Sequence, residues 1–541
     1  MILKRMLPVL VWAVVCSGPA IFNSVALAAD RLVYSWSGDP GPLNPHLYSP
    51  NQMFAQALLY EPLVRYRADG SIQPWLARNW EISADGRDYT FHLRRGVVFS
   101  DGTPFDAGAV KQNIDAVLHN HQRHQWLELI NQLYKSDQSG TPAVEVVDPH
   151  TVKLHLLAPY YPVLQELALI RPLRFLSPRA FPPDGDTASG IGRPVGTGPW
   201  VLQEYRRGEY AVFLRNDSYW GEAPRIKELV VKVISDSNAR AIAFETGAID
   251  LIYGAGGHGG GQLGLETFTR FVEQPNVATS ISAPLATRLL ALNSGRFPTD
   301  ELAVRQAIQF AVDKDSLVKH IFLAIEPRAD TLFAPGMPYC DLALPAYRYA
   351  PEKAIELLEQ AGWRLPDSGE YRLKNGRELS LELCFVGNDS IQKAVAEVVQ
   401  DSLRRVGIRA VLRGEEEDAF LARQKNGRFG MIFGDTWGAP YDPHSFCSAM
   451  RSPSHADYQA QSGLPMKEQI DKAIGQVLVS TGEAERRQLY RFILTTLHDQ
   501  AVYLPISYMT SIMVHRPQLQ DGGFGATKYE IPFERMSWPG Q

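Results

Sequence analysis

Tyr89-Thr90-Phe91-His92-Leu93 alternates apolar and polar side chains between the turn pairs Asp85-Gly86 and Arg95-Gly96, the period-two pattern of a half-buried strand in a hairpin. Asp106 then stands where a helix N-cap is expected, ahead of an apolar stripe of Val110, Ile114, Val117 and Leu118. Strand-like runs return at Ala143 to Val147, Val152 to Leu157 and Leu229 to Ile234. Strands and helices are interleaved, which argues for α/β architecture. From Asn293 the pattern lengthens into helices at Ala303 to Val312 and at Pro351 to Ala361, the second with Ala354, Leu357, Leu358 and Ala361 on one face and Gly362 as stop signal. Leu381 to Phe385 and Ile408 to Leu412 bracket a helix at Ala394 to Arg405, a βαβ-like alternation. The apolar segment Ala501 to Pro505 is suited to carry the chain back to the first lobe. The glycine-rich stretch 254–261 reads as a flexible loop, and there is no internal repeat.

The first residues alter this picture. Lys4 and Arg5 precede the apolar run Leu7 to Val15, and the small-residue triplet Ala26-Leu27-Ala28 follows, which together describe a cleavable secretory signal over 1–29. The run is shorter than the roughly 20 residues of a membrane-spanning helix. Val14 and Val15 stand before Cys16 where a lipoprotein signal has small residues. Cleavage removes Lys4 and Arg5 but no acid, so the formal charge of −5 becomes −7. A mildly acidic chain that is 45% apolar has no nucleic-acid footprint. Cys340, Cys384 and Cys447 remain, an odd number without a C-x-x-C pair, which argues against a disulfide framework. A mature chain of about 510 residues exceeds what one core supports, so two lobes are expected.

Several blocks in order carry a resemblance. Tyr60-Glu61-Pro62-Leu63-Val64, Pro74-Trp75-Leu76-Ala77 and Phe99-Ser100-Asp101-Gly102-Thr103-Pro104-Phe105 are followed by Gly196-Thr197-Gly198-Pro199-Trp200, Phe244-Glu245-Thr246-Gly247 and Val304-Arg305-Gln306-Ala307. Over essentially the whole mature chain the sequence resembles the peptide- and nickel-type extracellular solute-binding proteins. Residues 41–48, 122–129, 436–444 and 453–457 are similar to nickel-binding members of that family. The resemblance implies an α/β fold of two lobes that close over a ligand, a Venus-flytrap with an extra subdomain in the first lobe. The first lobe is expected to span 30–280, the second 281–502, and a return to the first 503–541. It further implies a periplasmic, monomeric component of an ABC importer, with permease and ATPase subunits as partners. The expected cargo is nickel within a small chelator such as free histidine.

The same resemblance implies a site. Nickel accepts imidazole nitrogen and oxygen donors, and His455, in the polar loop Ser452-Pro453-Ser454-His455-Ala456-Asp457, is the expected metal ligand. Local sequence alone gives an exposed loop histidine. Arg171 is the expected clamp on the chelate's carboxylate, since a guanidinium donates two parallel hydrogen bonds, and Arg123 is the second candidate. Tyr48, Trp126, Trp437 and Tyr441 are expected to wall the cleft, with Met53 lining it. Two positions depart from the nickel-binding pattern: Gly434-Asp435 stand where His-Arg is expected, and Tyr529, also assigned to the cleft, where threonine is expected. Helical spacing does not bring His119, His121 and His124 onto one side, so they read as surface residues. His258 reads as part of a mobile loop, His444 is not assigned as a ligand, and Cys447 reads as a buried thiol. No zincin motif, nucleophile elbow or P-loop supports an enzyme. The rival reading is the same fold binding oligopeptide or haem.

Overall fold

The computed structural model describes residues 30–47, 53–67, 69–255, 263–438, 440–441 and 443–540. The signal segment, Tyr48 and His258 lie outside these residues. No helix among them is long and apolar enough to cross a membrane.

Arg31–Trp36 sits inside a mixed seven-stranded sheet because it carries apolar side chains on both faces. Leu32, Tyr34 and Trp36 enter one core with Phe54, Trp200 and Phe533, while Val33 packs on the opposite side against Phe244, Ile252 and Phe271. The strand order is Ala278–Ile281, Ser511–His515, Leu251–Ala255, Arg31–Trp36, Glu228–Val233, Tyr210–Arg215, Trp200–Arg206. An antiparallel four-stranded sheet of Ala77–Ile82, Asp88–Leu93, Thr151–His155 and Val144–Asp148 forms the extra subdomain. Behind it lies the helix Ala107–His119, whose N-cap Asp106 accepts a bond from Ala109 N at 2.9 Å and whose Val110, Ile114 and Val117 are buried.

The second lobe has its own five-stranded sheet, ordered Arg409–Glu415, Ser380–Val386, Met431–Asp435, Ala286–Leu292, Tyr503–Met509. The parallel pair Ser380–Val386 and Arg409–Glu415 is joined by the helix Ser390–Arg405. That helix starts at Ser390 and not at Ala394, because Asp389 Oδ1 accepts from Ile391 N at 3.0 Å and Gln392 N at 2.9 Å.

Three of the family-like blocks meet at one buried acid. Glu61 accepts from Trp75 Nε1 at 2.7 Å and from Thr197 Oγ1, Tyr219 OH and Trp220 Nε1 at 2.8 Å each. Gly196 and Gly198 pass so close to the Leu58 and Leu59 carbonyls that a Cβ at either would collide with them. These three blocks therefore help to hold the first lobe together.

The chain crosses from the first sheet to the second between Ile281 and Ala286. The return was expected at 503, yet Tyr503–Met509 is the fifth strand of the second sheet, and the chain crosses back at Thr510. All seven residues of that strand are buried, since Ala329 N donates to Ile506 O and Tyr508 N to Pro327 O across its outer edge. A continuous apolar run identifies a buried strand but not the sheet that receives it. The two crossings are tied to each other: Ser282 N donates to Ser511 O, and Leu285 N to Met509 O, both at 2.9 Å. Away from the crossings the subdomain side also touches the second lobe, with Tyr161 N to Leu478 O at 2.9 Å and Tyr161 OH to Tyr490 OH at 2.8 Å.

Candidate functional site

On the first lobe, Arg171 follows the short helix Val163–Leu167 and is 5% exposed. Its Nε donates to Met53 Sδ at 3.3 Å, and its guanidinium lies 4.8 Å from the centre of the Trp126 ring, which is itself 45% exposed. Three of the expected residues, from separated segments, are thus one cluster. Two buried groups hold it. Glu166 Oε2 accepts from Leu129 N at 2.8 Å, tying the Arg171 segment to the start of the helix that follows Trp126. Burial of Glu166 pushes its carboxyl up to about 8. Arg174 donates to the carbonyls of Leu169 and Tyr60 at 2.8 Å each, and lies 3.4 Å from Glu530. It therefore joins the Arg171 segment to the end of the helix that Met53 opens. Neither Glu166 nor Arg174 was singled out from sequence, although the spacing Arg171-Pro172-Leu173-Arg174 places two arginines in one short segment.

On the second lobe, Trp437 follows the strand Met431–Asp435 and remains 36% exposed. Its ring centre is 5.9 Å from that of His455, 5.8 Å from Phe446 and 6.5 Å from Tyr441. His455 is half-buried, at the N-cap of the helix Ala456–Gln461, and its loop is fixed by Gln459 Nε2, which donates to Pro453 O at 2.8 Å. Behind it, Tyr503 OH donates to Asp457 Oδ1 at 3.0 Å and accepts from Gln461 Nε2 at 2.9 Å. Burial raises the Asp457 carboxyl, opposed by the Tyr503 bond and by His455. Tyr441 reaches across to pack on the subdomain core, and Tyr66 OH of the first lobe donates to Pro440 O at 3.3 Å. The loop carrying Trp437 and Tyr441 is thus gripped by the first lobe.

The remaining expected residues are more dispersed. Arg123 is exposed at the end of the single turn His121–Arg123, and its charge acts on His124 together with that of Arg171. Tyr529 lies under Lys528, whose Nζ is 5.1 Å from its ring centre, and next to Glu530, the partner of Arg174. Asp435 faces Arg288 at 3.9 Å, and Arg288 also pairs with Glu326 at 3.2 Å. Burial raises the Asp435 carboxyl against the pull of Arg288.

The histidine cluster requires a correction. His119 is exposed, and His121 stacks on Tyr134 with ring centres 3.9 Å apart, but His124 is 2% exposed and not at the surface. The helix ends at His119, and the tighter turn His121–Arg123 rotates residue 124 inward, a change that α-helical spacing does not anticipate. His444 is buried with its pKa driven down to about 3 by desolvation, and Cys447 is buried outside any disulfide. Among the described residues, no three His, Cys, Asp or Glu side chains gather as a metal-holding group.

A cationic, aromatic corner thus lies on one lobe and an imidazole beside aromatic rings on the other. Residues 71–458 match the family model described as the middle part of bacterial extracellular solute-binding proteins, family 5. The chain is a family 5 extracellular solute-binding protein. This solute-binding protein is 51% identical over 517 residues, 96% of each chain, to the nickel-binding periplasmic protein of Escherichia coli K12. It also superimposes on the crystal structure of NikA from Brucella suis in complex with Fe(III)-EDTA, with a TM-score of 0.88, 54% identity, and coverage of 94% of this chain and 99% of that one. NikZ from Campylobacter jejuni in complex with Ni(L-His) shares the fold at a TM-score of 0.71 and 22% identity, over 94% of this chain and 99% of that one. The two-lobed architecture expected from sequence is thereby established.

Proposed function

We propose that this solute-binding protein captures Ni(II) in the periplasm as a small carboxylate-bearing chelate, and delivers it to the permease and ATPase of an ABC importer. The observation that carries the reading is the division of donors between the lobes. His455 beside Trp437 offers one nitrogen to a metal, and Arg171 beside Met53 and Trp126 offers a cation to a carboxylate. Since no other metal-holding group gathers among the described residues, the ion must bring most of its own nitrogen and oxygen donors, as Ni(II) does with free histidine. In this reading Arg123 extends the positive corner, and Tyr48, Trp126, Trp437, Tyr441 and Tyr529 wall the chelate. The exported, monomeric state belongs to the same proposal, with residues 1–29 as its signal. Similarity to the nickel-binding relative supports this cargo. Native mass spectrometry of the protein purified from nickel-supplemented cells tests it: a nickel adduct carrying an organic chelator is expected, whereas a bound peptide or haem without nickel would overturn it.

A further inference from the structure

His124 and His46 are both buried to 2% exposure in the first lobe and are close enough for His124 to influence the charge state of His46. They differ in one respect. His46 is fully bonded, Nδ1 to Thr187 Oγ1 at 3.0 Å and Nε2 to Asn113 Oδ1 at 2.9 Å, whereas neither ring nitrogen of His124 has a hydrogen-bond partner among the described residues. Buried polar atoms left unbonded destabilise a fold, and in native proteins they call for an explanation. The backbone of His124 is not at fault: its N donates to His121 O at 2.8 Å, and its carbonyl accepts from Leu127 N at 2.9 Å. The surroundings supply the explanation. Arg123 closes the turn that His124 caps, and Trp126, two residues on, has the Arg171 guanidinium 4.8 Å from its ring centre.

We infer that His124 is a specificity-determining residue of the anion-binding corner, donating an imidazole N–H to the chelate carboxylate that Arg171 holds. The chemistry favours a donor. Burial, helped by the charges of Arg123 and Arg171, drives the imidazole pKa down to about 4, so at neutral pH the ring is uncharged with a single N–H. A carboxylate placed between Arg123 and Arg171 supplies the acceptor that this N–H lacks. Both nitrogens are shielded from solvent, so a carboxylate that reaches the ring must displace what covers it. The inference rests on the proposed chelate site and adds a residue that discriminates between ligands with and without a carboxylate.

The test pairs stability with binding in His124→Phe and His124→Gln, using Ni(II) with L-histidine and Ni(II) with histidine methyl ester as probes. Phe removes two unbonded nitrogens from a buried position, so ligand-free stability in urea should equal or exceed that of the parent. Affinity for Ni(II)–histidine should fall about tenfold, the loss expected of one hydrogen bond to a charged group, and the preference over the ester should shrink with it. Gln, which keeps an N–H, should recover most of the preference. Parent-like preference in the Phe variant, or a loss of ligand-free stability in its place, would overturn the inference. Should Phe not fold, His124→Leu provides the same comparison. If the parent itself fails to bind Ni(II)–histidine, the proposed function fails and not this assignment alone.

Discussion

Arg171 Nε donates to Met53 Sδ at 3.3 Å, so the charge expected to clamp a carboxylate is held in place by a thioether. Sulfur is a weak acceptor, and an entering carboxylate displaces it at little cost. Arg171→Ala should therefore lower affinity for Ni(II)–histidine about 10- to 100-fold, from ~1.5–3 kcal/mol for hydrogen bonds to a charged group. Arg171→Lys should not restore it, because an ammonium lacks the planar fork. Isothermal titration of the three proteins decides this, and parent-like affinity in the Ala variant would remove Arg171 from the site.

Glu61 holds four donors from three segments of the first lobe. Glu61→Ala leaves them buried without an acceptor and should cost at least ~3 kcal/mol. Urea unfolding of the first lobe, followed by its tryptophan emission, would show the loss, while chelate affinity of the protein that remains folded should be near that of the parent. A small change in stability would mean that the Glu61 cluster does not hold the first lobe together.

Glu166 gives the stability a pH dependence. Its carboxyl is raised by burial to about 8 in the folded protein, from an ordinary value of 4.5. Between these values the folded state keeps a proton that the unfolded state has released, so stability falls as pH rises, by ~1.4 kcal/mol per unit at most from this group. Glu166→Gln, which mimics the protonated form, should flatten the slope between pH 5 and 8 and raise stability most at pH 8. Denaturant titrations across that window check the sign, and an unchanged slope would contradict it.

Much of this was legible in the sequence. The Asp106 cap, the interleaved strands and helices and the solute-binding motifs led to two α/β lobes with a subdomain, and the polar loop around His455 was separable from packed histidines. What was missed depends on contacts between segments distant in the chain. Tyr503–Met509 reads as a buried strand in either lobe, and its partners at Ala286–Leu292 decide which. His124 turns inward because a tight turn replaces the helix after His119. Arg174 is indistinguishable from a surface arginine until the Tyr60 and Leu169 carbonyls are seen to receive it. Asp435 signals a departure from the nickel-binding pattern, but its pairing with Arg288 appears in the fold and not in the motif.

In the proposed function, His455 supplies the protein's bond to a nickel ion that arrives already chelated. The most direct test is titration of metal-free parent and His455→Ala with Ni(II), in the presence and absence of L-histidine. Tight binding by the parent is expected with histidine present, weak binding without it, and a loss of at least about tenfold in the variant. Tight binding of bare Ni(II) by the parent, or parent-like binding of Ni(II)–histidine by the variant, would contradict that function.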